Sequence, residues 1–256
     1  VEADRTFQNQ PKPFIFEQNK ARFSKFLDRI IHVKLTKYPL FIPVINPFSP
    51  WKIETYQRNS IVKGLKNCAP DDIIMISDVD EIPNGALIRR LVSRPLNRIF
   101  GIRMHMFMYY FNHKLIYDGD SRMDRLEAKK GIWHCMAMLP FKFFHDTPNK
   151  LRRDVMRTVR RGAKYDIQKD GGWHFTYMGG YDMIVKKLES FSHSEYNLDE
   201  FKDRSSIEER IRTGQDLFGR DLEFKVVDPD YNMPSAFSDP EFRERFKSYF
   251  LEYERP

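Results

Sequence analysis

The sequence has no long apolar run and no N-glycosylation motif, and it has only two cysteines. These features exclude several broad classes of protein. No stretch approaches the roughly 18 to 20 apolar residues that span a bilayer, and no signal-peptide pattern follows residue 1. The two cysteines, Cys68 and Cys135, have no nearby His or Cys partners, which argues against a disulfide framework or a zinc site. The absence of any Asn-x-Ser/Thr triplet weighs slightly against passage through a secretory lumen. We expect residues 1–256 to form a soluble protein.

The composition favours one globular domain over residues 1–256. Hydrophobic residues make up 41% of the chain and charged residues 31%, which is enough apolar material for a core. The 43 Lys and Arg exceed the 36 Asp and Glu and give a net charge of +7. A positive surface attracts polyanions, so nucleic acid, anionic lipid and nucleotide diphosphates are all candidate partners.

Alternating helix and strand patterns in the first half predict an α/β fold. Ser49-Pro50 has the form of a helix start, and residues 83–92 carry a second helical pattern. Residues 73–76 are a continuous apolar run typical of a central strand, and residues 99–111 alternate as a strand does. This order predicts a mainly parallel sheet flanked by helices. The chain opens on Val1-Glu2-Ala3 as if inside a strand, so the first strand-helix unit is expected to be missing.

Two aspartates follow the apolar run at residues 73–76. In an extended segment Asp78 and Asp80 would project from the same side while Val79 faces the core. Two such carboxylates favour a hard divalent cation between or beside them, and ligands of open α/β sheets bind at the carboxyl ends of strands. The alternative is a solvated acidic turn that caps the next helix. A phosphatase is disfavoured because Ile82-Pro83 follows Glu81, where that motif requires Thr or Val.

Six short motifs together resemble glycosyltransferase family 17, over residues 1 to about 220. They are Val1-Glu2-Ala3-Asp4-Arg5-Thr6-Phe7, Pro11-Lys12-Pro13, Trp51-x-x-Glu54-x-x-Gln57-Arg58, Ile76-Ser77-Asp78-Val79-Asp80-Glu81-Ile82-Pro83, Gly171-Gly172-Trp173-His174 and Ile211-Arg212-Thr213-Gly214. The resemblance implies a GT-A-type, Rossmann-like fold, a UDP-sugar donor, Mn²⁺ or Mg²⁺, and inversion at the anomeric carbon.

The resemblance also implies roles for particular residues. Asp80 would hold the metal against the donor diphosphate, and Asp78 would bind the ribose or support the metal, with Glu81 behind them. Glu2 and Thr6, at the end of the first strand, would touch the nucleotide. Arg58 would either pair with the acidic residues or reach a phosphate.

An inverting transfer needs one general base near the acceptor hydroxyl. Gly179-Gly180-Tyr181-Asp182 resembles the Gly-Gly-acid-Asp stretch of β-1,4-galactosyltransferases, which place their base there, so Asp182 is the predicted base. The alternative for Asp182 is a plain helix cap. Glu189 and Glu195 are the substitutes.

The third metal-ligand position of many GT-A enzymes comes from the C-terminal half. His193 is predicted for it by chain order and His174 is its competitor, although either fits a structural or acceptor-binding role. Trp133 and Trp173 are candidates for stacking on sugar rings, with buried packing as the alternative.

Two other functions compete with sugar transfer to a glycan acceptor. A nucleic-acid-binding module is suggested by the basic run at residues 150–161, but no nucleic-acid motif accompanies it. A non-catalytic glycan-binding relative is disfavoured because Asp78 and Asp80 are both present. The resemblance implies the Golgi lumen for a eukaryotic member with an anchor outside this sequence and the cytoplasm otherwise, with peripheral membrane contact compatible with the basic charge.

Overall fold

A computed structural model describes residues 1–38, 49–118, 132–161 and 165–253, with backbone alone at 117–118, 132–135 and 158–161. The strands are β1 (Glu2–Ala3), β2 (Lys34–Leu35), β3 (Ile73–Ile76), β4 (Glu81–Pro83), β5 (Phe100–Met108), β6 (His113–Asp118), β7 (Ile132–Pro140), β8 (Asp166–Gln168), β9 (Gly172–Thr176) and β10 (Leu222–Val226). The α-helices are α1 (Ile15–Gln18), α2 (Pro50–Asn59), α3 (Gly85–Val92), α4 (Pro148–Arg161), α5 (Gly180–Leu188), α6 (Asp199–Lys202), α7 (Arg204–Thr213) and α8 (Pro240–Arg245).

Strand β5 lies at the centre of an eight-stranded sheet. The strand order along the main path is β10-β6-β5-β7-β3, and β9, which also pairs with β4, and β8 join β5 outside that path. The pairs β10–β6, β6–β5, β5–β7, β7–β3 and β4–β9 are antiparallel, whereas β8 and β9 run parallel to β5. Strands β1 and β2 form a separate parallel pair.

The sheet is mainly antiparallel, so the prediction of a mainly parallel sheet was wrong in that respect. Residues 109–112 alone join β5 to β6, and a link this short forms a hairpin, because a parallel crossover needs about a dozen residues or more. Strands β3 and β5 do point in the same direction, as the helix between them predicts. Strand β7 lies between them and runs against both.

Helices cover both faces of the sheet, which confirms the predicted α/β class. Leu151 and Val155 of α4 pack on the face that carries Ile74 and Ile76. On the opposite face, Ile88 and Leu91 of α3 pack near Ile73, Met75 and the methionines of β5 and β7. The alternation follows from the two-residue period of a strand, and it places α4 beside the end of β3.

A third apolar cluster holds α5 and α7 against the far end of β5. Ile184 and Leu188 of α5 are buried there with Ile207 of α7 and Met108 of β5. This packing fixes α5 next to the end of β9. No described helix is long and apolar enough to cross a membrane.

Several element boundaries differ from the sequence predictions. The apolar run at residues 30–33 is consistent with a strand, but β2 begins at Lys34. The apolar stripe of Ile184, Val185, Leu188 and Phe191 indicates a helix from Asp182 to near His193, but α5 ends at Leu188. The sequence from Asp239 to Tyr253 is consistent with a final helix, of which the structure has α8. The predicted start of α2 and the strand at residues 73–76 are confirmed.

Candidate functional site

The two aspartates lie on a tight turn between β3 and β4. The Glu81 amide donates to the Asp78 carbonyl over 3.2 Å, so residues 78–81 reverse the chain. Val79, at the tip, is 98% exposed. The expectation that Val79 faces the core was wrong, because the chain leaves the extended conformation at Ser77 instead of continuing as a strand. We call residues 78–81 the acidic turn.

A buried ion pair fixes the acidic turn to α4. The Glu81 side chain is completely buried, and Arg152 is 5% exposed at its side chain. The two Arg152 amino groups donate to the two Glu81 oxygens over 2.8 Å each, and one also donates to Asp78 Oδ2 over 2.8 Å. Glu81 also accepts the Asp78 amide over 2.9 Å. A buried carboxylate needs such partners, so Arg152 and Glu81 together determine the shape of the turn.

Helix α2 supplies a second guanidinium to the same aspartate. Arg58 Nη2 lies 3.2 and 3.3 Å from the two Asp78 oxygens and 2.7 Å from Glu54 Oε1. Arg58 Nη1 donates to Asn149 Oδ1, at the start of α4, over 2.8 Å. Asp78 is therefore held between α2 and α4, with a guanidinium hydrogen bond on each of its oxygens.

Asp80 faces a different set of cations. His174 Nε2 lies 3.4 Å and Lys187 Nζ 3.7 Å from Asp80 Oδ2. Burial raises the pKa of Asp80, but the hydrogen bond and charge of His174 and the charge of Lys187 outweigh it, so its pKa lies below the ordinary carboxyl value. The side chain is 31% exposed. Asp80 is thus an ionised carboxylate that solvent reaches.

Lys187 is oriented by its neighbours towards Asp80. Its ammonium donates to Thr176 Oγ1 over 2.7 Å and lies 4.6 Å from the centre of the Tyr177 ring. Burial lowers the pKa of Lys187, and the charges of Asp80 and Asp78 oppose that shift. Its side chain is 32% exposed, so a cation stands at the solvent boundary of the acidic turn.

The pairing of β4 with β9 brings His174 opposite Glu81, with Trp173 opposite Ile82. Gly172 makes this approach possible, because a Cβ on it would overlap the Ile82 carbonyl oxygen, and its φ of 149° also disfavours other residues. Trp173 is 7% exposed and donates its indole N–H to the Asn232 carbonyl over 2.9 Å. Trp173 is therefore packed in the interior, and the side chain of Trp133 lies outside the described residues.

Asp80 is the carboxylate of the acidic turn that has no arginine partner among the described residues and could ligate a divalent cation. Within the described part of the chain, no three His, Cys, Asp or Glu side chains are grouped as a complete metal site. Arginine side chains donate to both Asp78 oxygens, so a cation bound by Asp78 would share those oxygens with Arg58 and Arg152. Mg²⁺ and similar cations are often held by one or two carboxylates plus substrate phosphates and water. The accessible Asp80 carboxylate meets that minimum.

The structure places Glu2 and Thr6 in local structural contacts. Glu2 accepts the amides of Ile15 and Phe16 over 2.6 and 3.3 Å, which caps α1, and His32 Nε2 lies 3.1 Å from it. The Thr6 hydroxyl accepts the Gln10 amide over 3.1 Å within a short turn. Neither side chain has a described contact with the acidic turn.

His193 lies outside the acidic turn, against the start of α2. Its Nδ1 is 2.6 Å from Glu195 Oε1, and its ring is edge-on to Trp51 with centroids 4.6 Å apart. His174 is the histidine that the structure brings to Asp80.

Asp182 is exposed on the first turn of α5 and interacts electrostatically with Arg204. It precedes Lys187 by five residues, which is about 140° around a helix. No contact between Asp182 and the acidic turn is found among the described residues. Glu189 pairs with Lys202 at 3.7 Å.

Sequence reasoning missed the roles of Arg152 and Lys187. Arg152 belongs to the basic run that suggested nucleic acid, yet it is buried, and Lys150 in the same run pairs with Asp146 and Asp154. The sequence did contain a signal, which is the position of each cation relative to buried apolar residues. Arg152 lies three residues before Val155, and Lys187 lies three residues after Ile184. A cation on an apolar stripe indicates a buried acidic partner.

Comparison with known proteins identifies the family of this chain. The model of glycosyltransferase family 17 matches residues 1–129. A β-1,4-mannosyl-glycoprotein 4-β-N-acetylglucosaminyltransferase of Mus musculus is 24% identical over 243 residues, which cover 89% of this chain and 44% of that protein. The proteins of the same name from Rattus norvegicus and Homo sapiens are also 24% identical, over 91% of this chain and 45% and 46% of their own lengths. The chain thus spans less than half the length of these relatives. No solved structure matches it significantly.

Proposed function

The chain belongs to glycosyltransferase family 17, and we propose that it transfers N-acetylglucosamine from UDP-N-acetylglucosamine to a glycan hydroxyl. The proposed reaction is metal-dependent and inverting, so that it leaves a β-linkage. The names of the related enzymes support N-acetylglucosamine as the transferred sugar. The observation that carries the proposal is the accessible, ionised Asp80 on a turn that Arg58 and Arg152 hold in place.

The charges around Asp80 suit a nucleotide diphosphate. Asp80 would hold a divalent cation, which when bound supplies positive charge to the departing diphosphate. The Lys187 ammonium, 3.7 Å from Asp80, stands where it can donate to a phosphate oxygen. Asp78 acts indirectly, because its two oxygens keep Arg58 and Arg152 on the turn.

The preformed turn reduces the cost of binding. Glu81 and Arg152 are buried and bonded to each other within the protein itself, so the turn needs no ordering when the donor arrives. A rigid support of this kind keeps a carboxylate within the narrow geometry that catalysis needs.

A mannose-containing glycan is the proposed acceptor class. The relatives are named for a β-1,4-mannosyl glycoprotein, and the present chain exposes the aromatic ring of Trp51 on α2, the helix that also carries Arg58. With a UDP-α-sugar donor, one in-line displacement from the face opposite UDP gives a β-linked product.

Calorimetric titration of UDP with and without Mn²⁺ tests the donor site. We expect wild type to bind UDP more tightly with Mn²⁺, and Asp80→Asn to lose that increase while it keeps its fold by circular dichroism. Equal Mn²⁺-dependent affinities in the two proteins would refute the assignment of Asp80.

The anomeric coupling of the product tests the stereochemistry. Wild type would be incubated with UDP-N-acetylglucosamine, Mn²⁺ and oligosaccharides that end in mannose or glucose, and the product examined by NMR. An α-linked product would overturn the inverting mechanism even if transfer occurred.

A further inference from the structure

A second group of polar and aromatic side chains lies at the start of α2, the helix that also carries Arg58. His193, Glu195 and Trp51 form it, and Phe191 and Tyr196 flank the histidine at ring-centroid distances of 5.5 and 5.9 Å. Trp51 is 46% exposed, and the His193 side chain is 45% exposed. Aromatic surface is therefore open to solvent next to two groups that can exchange protons.

Helix α2 connects this group to the acidic turn. Trp51 and Arg58 are seven residues apart, which is two helical turns, so they lie on the same helix face about 10 Å apart. Arg58 contacts Asp78 at one end of that face, and Trp51 contacts His193 at the other. Glu54, between them, has a buried Oε2 without a hydrogen-bond partner among the described residues.

The histidine is arranged as a proton acceptor. Its Nδ1 lies 2.6 Å from Glu195 Oε1, and a carboxylate there fixes the tautomer that carries hydrogen on Nδ1 and a lone pair on Nε2. Burial raises the pKa of Glu195, but the hydrogen bond with His193 outweighs it and lowers the pKa. No described residue bonds Nε2, which is left for a ligand.

We propose that Trp51, His193 and Glu195 form the acceptor subsite, in which a sugar ring lies on Trp51 and His193 accepts the proton of the attacking hydroxyl. The proposal rests on the transferase function proposed for this chain and names the acceptor side of that site. An indole is a suitable platform for the apolar face of a sugar because it presents a large, rigid surface with little conformational entropy to lose.

In the proposed step, the acceptor hydroxyl attacks the donor sugar in a single displacement. The acceptor oxygen forms a bond to the anomeric carbon of the donor, and the bond from that carbon to the diphosphate oxygen breaks with its electron pair on UDP. The hydroxyl proton passes to His193 Nε2, and Glu195 stabilises the imidazolium that results. Glu195 is a positioning residue, since it acts through His193.

The other two candidate bases, Asp182 and Glu189, have different neighbours. Asp182 lies about 140° around α5 from Lys187 and interacts with Arg204, while Glu189 pairs with Lys202. The position of His193 in the chain predicts a metal ligand, but no contact joins His193 to Asp80 among the described residues, and its Nδ1 is bonded to Glu195.

The decisive experiment compares His193→Gln and Asp182→Asn in two assays. The transfer assay uses UDP-N-acetylglucosamine, Mn²⁺ and an oligosaccharide that ends in a β-1,4-linked mannose. The binding assay is calorimetry with UDP and Mn²⁺. We expect His193→Gln to lower kcat by about 10² to 10⁴-fold with unchanged Mn²⁺-dependent UDP affinity, and Asp182→Asn to stay within about twofold of wild type in both.

Each other result has a defined meaning. Loss of Mn²⁺-dependent UDP binding in His193→Gln would overturn the base role in favour of a metal ligand. Loss of less than tenfold in kcat, or a large loss in Asp182→Asn, would overturn it in favour of another base. If wild type does not transfer to this oligosaccharide, the proposed transfer to a mannose-ended acceptor fails, and the acceptor subsite fails with it.

Two further variants separate the positioning and platform roles. Glu195→Gln should lower kcat and leave the acceptor KM and UDP binding unchanged. The variant removes the carboxylate that stabilises the protonated His193, but it keeps the imidazole ring in place. Trp51→Ala should raise the acceptor KM by roughly two- to tenfold and change kcat little, with Trp51→Phe in between. A Trp51→Ala variant with wild-type acceptor KM would refute the platform.

Discussion

Removal of the Arg152 side chain should destabilise the protein strongly, because it takes the guanidinium partner from a buried carboxylate. The Glu81 side chain has no solvent exposure, and Arg152 donates to both of its oxygens over 2.8 Å. Truncation of one partner of a buried pair typically costs about 3 to 5 kcal/mol. Arg152→Met should therefore lower the free energy of unfolding and change the structure of the acidic turn.

The assay is urea denaturation at neutral pH, followed by circular dichroism. For a chain of this length each kcal/mol corresponds to roughly 2 to 4 °C, so we also expect the Tm to fall by about 6 to 20 °C. Arg152→Lys should recover little, because a lysine cannot make the two parallel bonds to Glu81.

Two controls make the reasoning refutable. Arg153→Met changes the exposed neighbour on the same helix and should stay within about 0.5 kcal/mol of wild type. The double variant Arg152→Met with Glu81→Gln should be more stable than Arg152→Met alone, because it removes the buried negative charge that lost its guanidinium partner. If Arg152→Met lost no more stability than Arg153→Met, the buried ion pair would not support the turn.

Three further predictions concern the donor site. Lys187→Met should weaken UDP binding in calorimetry and Lys187→Arg should restore part of it, because the ammonium faces Asp80 at the solvent boundary; equal affinity in all three proteins would exclude a phosphate contact. Gly172→Ala should destabilise the protein and reduce Mn²⁺-dependent UDP binding, since its Cβ would overlap the Ile82 carbonyl oxygen, and a wild-type Tm would contradict this. The pKa of Asp80 is lowered in the folded state, so its contribution to stability is present above the ordinary carboxyl pKa and is lost as pH falls through the lower folded value; Asp80→Asn should therefore show a shallower loss of stability in acid than wild type.

The sequence by itself determined the local elements on which the site rests. The apolar run at residues 73–76 and the Ser49-Pro50 signal were sufficient for β3 and α2, because both depend on short-range periodicity and backbone preference. The combination of short motifs was sufficient to identify the family, because this identification needs only the identity and order of residues and no three-dimensional arrangement.

Long-range contacts decided the direction of the sheet. The helical segment between β3 and β5 predicted two strands that point the same way, which they do, but β7 enters between them from much later in the chain. No local pattern encodes which strand will fill that gap, because strand pairing depends on burial and hydrogen bonding across the whole sheet.

The tertiary structure also decided which charged residues act together. Asp78 and Asp80 are two residues apart, yet the turn at Val79 gives them different partners, arginines for Asp78 and His174 with Lys187 for Asp80. Arg152 lies 71 positions from Glu81, and a basic run in sequence offers no means to tell a buried guanidinium from a surface one. The sequence specified which residues carry charge, and the packing of α2, α4 and α5 against the sheet specified which of those charges meet, because an electrostatic partner is defined by distance in space and by exclusion of water.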